Sequence, residues 1–236
     1  MRSDPGAAYD AVAAFYDRWW GLEFAEETRN LIAGHLCRWL PDRAKVLDLC
    51  CGTGLFLREL GELGHEAFGV DESALMLKRA QKNAPGAHLQ RADMAEFRWE
   101  TRFDSVVSLY NSVNHVRSEA HLRATFANVA VHTRQGGLFL FDYVPRESFE
   151  AEWECQDDVD GNEASQPVRY AYDRVRRQAT CVVGEQGIIR QIPFEPADIH
   201  AALSGASFIL VEDSAMAALA PPAGRRLVLA TNGQVY

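Results

Sequence analysis

The densest concentration of candidate chemistry lies at Val46–Gly54, which reads VLDLCCGTG. A short apolar run carries one carboxylate, Asp48, and then breaks at Gly52 and Gly54. Glycine lets the backbone come close to a ligand and take up positive φ. The helix that follows starts with N–H groups that have no partner in the helix and carry partial positive charge. Such a turn suits a ligand carboxylate or a phosphate. A dinucleotide-binding loop needs a third glycine three residues after Gly54, and that position is Leu57. Asp48 precedes the glycines, where its charge would repel a phosphate and attract an ammonium group. Cys50 and Cys51 read as small fillers of the turn, with Cys50 expected against the ligand.

Two more acids fall at the carboxyl ends of the next strands, where open α/β sheets bind ligands. Asp71, in GVDES, can accept ribose hydroxyls; Glu72 and Met76 follow in the adjoining turn and are expected beside the same ligand. Asp93, in RADM, is placed to accept the exocyclic amine of an adenine, with the N–H of Met94 serving a ring nitrogen. S-adenosylmethionine (SAM) combines an ammonium group, a carboxylate, a ribose and an adenine. The ordered set Asp48, Gly52, Gly54, Asp71 and Asp93 therefore points to SAM, with S-adenosylhomocysteine (SAH) as product. A nicotinamide cofactor is the competing reading, since Asp71 alone would fit it as well.

The elements that must hold these residues alternate. Strands are predicted at Lys45–Leu49, Glu66–Val70, Ala87–Gln90, Phe103–Leu109 and Leu138–Asp142, with helices at Thr53–Leu63, Ser73–Asn83 and Ser118–His132. That rhythm implies a parallel sheet with right-handed crossovers. Asp10–Leu40 carries a helical apolar pattern before it. After Asp142 the pattern changes: Val168–Arg174, Ala179–Val183 and Ile188–Ile192 read as strands of an antiparallel flap, and polar Asp157–Gln166 as a loop. A helix at Pro196–Gly205 and a hairpin of Phe208–Glu212 with Arg225–Thr231 close the chain. The divisions are a helical lid at 1–42, a cofactor core at 43–149, a flap at 150–192 and the rest of the core sheet at 193–236.

Composition narrows the partners. The 236 residues suffice for one α/β domain with a sizeable core, and 47% apolar content excludes a disordered chain. A formal net charge of -9 disfavours nucleic acid as partner, because that binding rests on clustered Lys and Arg. No apolar run is long enough to cross a bilayer, and MRSDPGAAYD has no apolar signal core. Five cysteines without a C-x-x-C pair suggest neither disulfides nor zinc. The expectation is a cytoplasmic protein with no membrane partner and no bound metal.

With these motifs in place, Lys45–Asp142 and, more loosely, Ile199–Thr231 resemble the class I SAM-dependent methyltransferases. That resemblance implies a Rossmann-like seven-stranded sheet of order 3-2-1-4-5-7-6 whose last strand is antiparallel. AAFYDRWW, FDSVVSLYNSVNHV and GGLFLFDYVP narrow it to small-molecule N-methyltransferases, notably deoxyaminosugar N,N-dimethyltransferases. In those relatives an N-terminal tyrosine and a histidine after the fourth strand approach the reacting amine; the matching residues are Tyr16 and His115. Asp17–Asn30 and Glu150–Ile192 depart from the relatives, so the acceptor does not carry over.

Methyl transfer is an in-line displacement, which chiefly requires donor and nucleophile to be held in line. Leu109, Tyr110 and Asn111 end the fourth strand, where the methyl group is expected, and Asn111, Asn114 and Tyr143 are candidates to touch the acceptor. His115 would orient or deprotonate it; the bland alternative is a helix cap. Tyr16 would close over the donor as part of a lid or simply pack in the core. Trp20 and Arg29 are placed to reach the methionine carboxylate. The aromatic-capped Asn/Asp-Pro-Pro motif of nucleic-acid amino methyltransferases is absent, since the site reads YNSVN. The reading is a SAM-dependent methyltransferase acting on nitrogen or oxygen of a small molecule, with a homodimer among the allowed assemblies. The alternatives are a SAM-binding regulatory module without catalysis and a nicotinamide-dependent oxidoreductase.

Overall fold

A computed structural model describes residues 5–18, 36, 38–153, 156–159, 166–183, 187–216 and 224–233. Helix α1 (Pro5–Arg18) is followed by β1 (Lys45–Leu49), α2 (Leu55–Glu62), β2 (Glu66–Asp71), α3 (Ala74–Asn83), β3 (His88–Arg91) and β4 (Phe103–Ser108). A 3₁₀ turn at Ser112–His115 leads to α4 (Glu119–His132) and β5 (Thr133–Tyr143). Then come α5 (Arg146–Glu152), β6 (Gln156–Val159), β7 (Gln166–Asp173), β8 (Gln178–Val183), β9 (Gly187–Gln191), α6 (Pro196–Gly205), β10 (Phe208–Ala215) and β11 (Arg226–Asn232).

The core sheet has the order β3-β2-β1-β4-β5-β11-β10. Numbered within this sheet alone, that is the 3-2-1-4-5-7-6 order implied above. Strand β11 runs antiparallel to both its neighbours, and the remaining pairs are parallel. Such strands bury both faces, which is why β1 and β5 read as near-continuous apolar runs. Leu47, Leu49, Val106, Phe139 and Phe141 face one core, shared with α4 and α6. Val46, Val107, Leu138 and Leu140 face the other, with Phe56 and Leu57 of α2. A one-residue slip of β5 would exchange these sets. Each fully buried Phe contributes roughly 1.5–3 kcal/mol, so the register is firmly fixed.

The second sheet is antiparallel, in the order β6-β7-β8-β9. Its inner face packs with Val12 of α1 and with Phe149 and Trp153 of α5 and its end. A Cβ at Gly187 would stand 2.5 Å from Cγ1 of Val12. Only glycine permits that approach of flap to helix.

Three readings of the sequence are corrected. Strand β5 starts at Thr133, not Leu138; Phe103 pairs with Thr133 and Ser105 with Leu138, so 134–137 bulge outward with Gly136 at φ 72°. Those glycines mark a bulge inside a strand rather than a stop before one. Helix α5 was not foreseen, because seven residues are too few to display a helical period. Strand β6 takes up part of the segment read as a loop. The helical pattern at Asp10–Leu40 is α1 as far as Arg18, and 19–35 lies outside the described residues.

Candidate active site

The carboxyl end of β1 turns sharply at Cys50 (φ 66°), Gly52 (φ 50°) and Gly54 (φ 78°). The N–H groups of Cys50 and Cys51 both donate to the carbonyl of Val70, 2.8 and 3.0 Å away, and tie the loop to the end of β2. Gly54 is the N-cap of α2 and offers no side-chain cap, so the first N–H groups of α2 keep their donor capacity. A Cβ on Gly54 would lie 2.8 Å from Ala80 of α3, so bulk there would push the loop off its support.

Asp48 is 5% exposed. Burial, and then the charge of Asp71, push its carboxyl well above the usual range. Among the described residues no donor or cation pairs with the Asp48 carboxylate. Asp71 accepts from the N–H of Gly52 at 2.9 Å and of Ser73 at 2.8 Å. Burial raises its carboxyl to about 6 against the pull of those two donors. Two acids in a poorly solvated cleft repel each other and call for a cationic ligand. That fits the ammonium and sulfonium of SAM and opposes a pyrophosphate.

The expected adenine end is more crowded than the sequence implies. Asp93 Oδ1 meets Nε2 of His121 at 2.8 Å and accepts from the N–H of Ala95 at 2.7 Å. Arg117 places Nη1 2.6 Å from Asp93 Oδ2 and Nη2 2.7 Å from Oε1 of Glu72. Burial opposes ionisation of Asp93, yet His121, the Ala95 N–H and Arg117 hold its carboxyl down at about 2. Met94 is nearly buried in the core, and its N–H has no acceptor among the described residues. Met76 is buried in the first turn of α3.

The exit of β4 is a strained turn. Tyr110 (φ 60°) and Asn111 (φ 50°) both adopt left-handed conformations, costly for non-glycine residues. Asp142, at the end of β5, holds the turn by accepting from the N–H of Asn111 at 2.9 Å. Its other oxygen meets Nη1 of Arg225 at 3.0 Å, in an ion pair whose side chains are 1% and 4% exposed. The Arg225 guanidinium lies 5.9 Å from the centre of the Tyr110 ring. Asn111 donates through Nδ2 to Oε1 of Gln191 on β9, at 2.8 Å. Leu109 is buried, and its carbonyl accepts from the Ser112 hydroxyl.

Helix α1 lies over this cleft. Asp10 accepts from the Ser73 hydroxyl and from the N–H of Leu75, capping α3 from another element. Tyr9 and Tyr16 are two helical turns apart, so they share a face; their rings meet edge to face at 6.5 Å. Tyr16 lies over the loop, its Cε1 3.8 Å from where a Cβ of Gly52 would be. Burial, followed by the charges of Asp71, Asp48 and Asp142, raises its phenol. The Tyr9 hydroxyl and His115 Nε2 are 3.1 Å apart. Burial pulls His115 from 6.5 down to about 4, against a hydrogen bond to the Arg190 backbone.

The structure thus gathers Asp48, Cys50, Gly52, Gly54, Asp71, Tyr110, Asn111, Tyr16 and His115 around one cleft. Asn114 and Tyr143 fall elsewhere. Asn114 is fully buried; its Nδ2 donates to the carbonyls of Val144 and Ile192, at 3.0 and 2.9 Å, and its Oδ1 accepts from the Val144 N–H at 2.8 Å. That amide staples three segments and leaves no donor for an acceptor molecule. Tyr143 is fully buried in the core with Phe194 and Val228, because alternation along β5 turns Asp142, not Tyr143, to the cleft. Trp20 and Arg29 lie outside the described residues. Tyr9, Asp10, Arg117, His121, Asp142, Gln191 and Arg225 were missed. For Asp142 a signal existed: it too ends a strand at the carboxyl edge. The others meet the cleft only through tertiary packing.

Residues 46–137 match the family described as methyltransferase domain. That segment is similar to a methyltransferase domain. A curated relative, the dTDP-3-amino-3,4,6-trideoxy-alpha-D-glucopyranose N,N-dimethyltransferase of Streptomyces venezuelae, is 32% identical over 122 residues, covering 52% of this chain and 51% of the relative. The chain spans about half the length of the curated relatives it matches first. In fold, a SAM-dependent methyltransferase from Clostridium acetobutylicum superposes with a TM-score of 0.80 at 18% identity, over 96% of this chain and 99% of that one. An amino pentose methyltransferase from Micromonospora echinaspora superposes with a TM-score of 0.69 at 24% identity, over 93% and 95%. The methyltransferase fold therefore extends well beyond the matched domain.

Proposed function

We propose that this chain transfers a methyl group from SAM to a nitrogen of a small-molecule amine. The observation that carries the reading is the buried acid pair Asp48 and Asp71 beneath an aromatic helix, with Tyr9 hydrogen-bonded to His115 beside them. Asp48 would hold the ammonium group of SAM, the loop at Gly52 and Gly54 its methionine backbone, Asp71 its ribose hydroxyls, and Asp93 with Met94 its adenine. When bound, SAM supplies a methyl group already activated by its sulfonium. The preference for nitrogen over oxygen rests on the names of the curated relatives.

The chain's own residues would position, exclude water and keep the nucleophile uncharged. Tyr16 covers the loop and Tyr9 closes the side toward the flap. A neutral His115 has one donor and one acceptor nitrogen. With one nitrogen bonded to the Arg190 backbone, Nε2 is left to accept the Tyr9 hydroxyl hydrogen. A group with a pKa of about 4 takes protons poorly at neutral pH. Of the two roles considered for His115, the hydrogen bond to Tyr9 and the lowered pKa support orientation over deprotonation. The amine would therefore bind already neutral, and the proton released after methylation would pass to solvent.

On this reading the division of labour would be a lid (1–42), of which Pro5–Arg18 lies over the cleft, a core (43–149) that would hold the donor, a flap (150–192) that would shape the acceptor side, and the remaining sheet (193–236), which contributes Arg225. The free thiols of Cys50, Cys51 and Cys181 fit a reducing, cytoplasmic compartment. No helix among the described residues is long and apolar enough to cross a membrane. Exposed Ile209, Leu210 and Val211 on edge strand β10 support a homodimer, which sedimentation would test. The deciding experiment is turnover of SAM with a library of small amines, including nucleotide-linked aminosugars. Production of SAH together with a methylated amine supports the reading. SAM binding with no SAH from any acceptor would favour the regulatory module instead.

A further inference from the structure

Two consecutive non-glycine residues in the left-handed region, Tyr110 and Asn111, follow β4. Such strain persists only where the surroundings over-determine it, and it clusters at functional sites. Here the surroundings come from three other strands. The Asp142 carboxylate, on β5, accepts from the Asn111 N–H at 2.9 Å. Gln191, on β9, accepts from the Asn111 side-chain amide at 2.8 Å. Arg225, just before β11, bonds the second Asp142 oxygen at 3.0 Å and lies 5.9 Å from the centre of the Tyr110 ring. The segment carrying Arg225 is itself fixed. Its carbonyl accepts from the Met216 N–H at 2.8 Å, and Gly224 passes so close to Ser148 that a Cβ there would overlap the serine hydroxyl.

We propose that Asp142 and Arg225 are positioning residues for methyl transfer, whose ion pair fixes the Tyr110–Asn111 turn as the wall that aligns the acceptor amine with the methyl group. The inference rests on the reading of the chain as an amine methyltransferase. Burying a carboxylate and a guanidinium costs solvation on both, and an apolar pair of similar volume is often as stable or more so. Stability alone therefore does not account for the pair. What the pair supplies is geometry. The carboxylate aims one oxygen at the Asn111 N–H, and the planar guanidinium holds the other oxygen while lying near the Tyr110 ring. Both side chains of the pair are buried, whereas Tyr110 and Asn111 remain partly exposed. The pair also lies near the lid: after burial, Asp71 and Asp48, the Tyr16 phenol is raised by Asp142 and lowered by Arg225. In-line displacement tolerates little misplacement of the nucleophile. The donor loop at Cys50–Cys51 is tied to Val70 and not to this pair. Loss of the pair therefore misaligns the acceptor and leaves the donor in place.

The test combines three measurements on the full chain: initial rates with the best amine of the library, SAH affinity by calorimetry, and hydrogen exchange of the Tyr110–Asn111 turn by mass spectrometry. Asp142→Ala and Arg225→Met should each lower kcat by on the order of 100-fold, the cost of a small misplacement. Both should speed exchange at the turn and leave the Kd for SAH nearly unchanged. The conservative variants should retain part of the rate. Asp142→Asn keeps an oxygen for the Asn111 N–H, and Arg225→Lys keeps the charge, so each should lose about tenfold or less. Asp142→Leu combined with Arg225→Met leaves no unpaired buried charge, so it keeps the fold where a single substitution does not. Its kcat should stay low although its Tm is close to that of the unmodified protein. A folded double variant with undiminished kcat and unaltered exchange at the turn would overturn the proposal. So would losses confined to SAH affinity. An unmodified protein that binds SAH yet methylates no amine would strike at the transferase reading instead, and unaltered exchange in the double variant would then overturn the hold on the turn as well.

Discussion

The Tyr9 hydroxyl lies 3.1 Å from Nε2 of His115. This contact joins the first helix to the turn after β4, and it passes over the cleft where donor and acceptor would meet. It also consumes the only nitrogen of His115 with which a base could act.

Tyr9→Phe removes the hydroxyl and keeps the ring. The expected result is a fall in kcat of roughly 10–100-fold, the worth of one well-placed hydrogen bond in a dry site, with SAM affinity nearly unchanged. The pH profile of kcat/KM should show no inflection near 6.5 from His115, whose pKa is about 4. It should instead follow the ionisation of whichever amine is supplied. A break that stays between pH 6 and 7 across amines of different basicity, and vanishes in His115→Gln, would restore His115 as a base.

Asp71 makes donor binding sensitive to pH. Its carboxyl is raised to about 6 in the fold against 3.8 unfolded. The folded state therefore holds the extra proton between those values, and the stability of the unliganded protein should fall as pH rises through that window. Ligand affinity should move the other way. An ionised carboxylate accepts two hydroxyls, so the Kd for SAH should be flat above about pH 6 and weaken as pH drops below it. Titration calorimetry across pH 5–8 would read this directly, and Asp71→Asn should remove the pH dependence along with most of the affinity.

Asp48 should separate stability from binding. A buried acid whose pKa is raised by burial and by a neighbouring acid destabilises the fold. Asp48→Asn should raise the Tm of the unliganded protein and weaken SAH binding by at least about tenfold, because the ammonium loses its counter-charge. A variant with lower Tm and unchanged Kd would show that Asp48 serves the fold and not the ligand.

Asn114→Ala tests a residue whose type suggested chemistry. Its loss leaves the buried Val144 N–H and the Ile192 carbonyl without their partner. Orphaned buried groups cost about 1–3 kcal/mol each, so urea denaturation should show a destabilisation of about 3 kcal/mol. The Kd for SAH of the folded fraction should hardly change.

Residue types and spacing alone marked out the sheet, the loop and the acids at the strand ends. These are local matters. Alternating apolar runs specify buried parallel strands, Gly52 and Gly54 mark where positive φ is needed, and the crossover rule sends every strand's carboxyl end to one edge. Asp48, Asp71 and Asp93 could be found because each lies next to its own strand. What only the tertiary structure decided is which of the remaining polar groups meet. Asn111, Asn114 and His115 share one short segment, yet packing against β5 and β9 turns Asn114 into a staple and sets His115 against Tyr9, 106 residues away in the chain. Arg225, just before β11, and Asp142, from β5, pair beneath the strained turn because strand order brings those two strands side by side. Arg117 reaches Glu72 and Asp93 by spanning two strand ends. Such contacts depend on the three-dimensional register of distant segments, and residue types and spacing along the chain carry no record of that register.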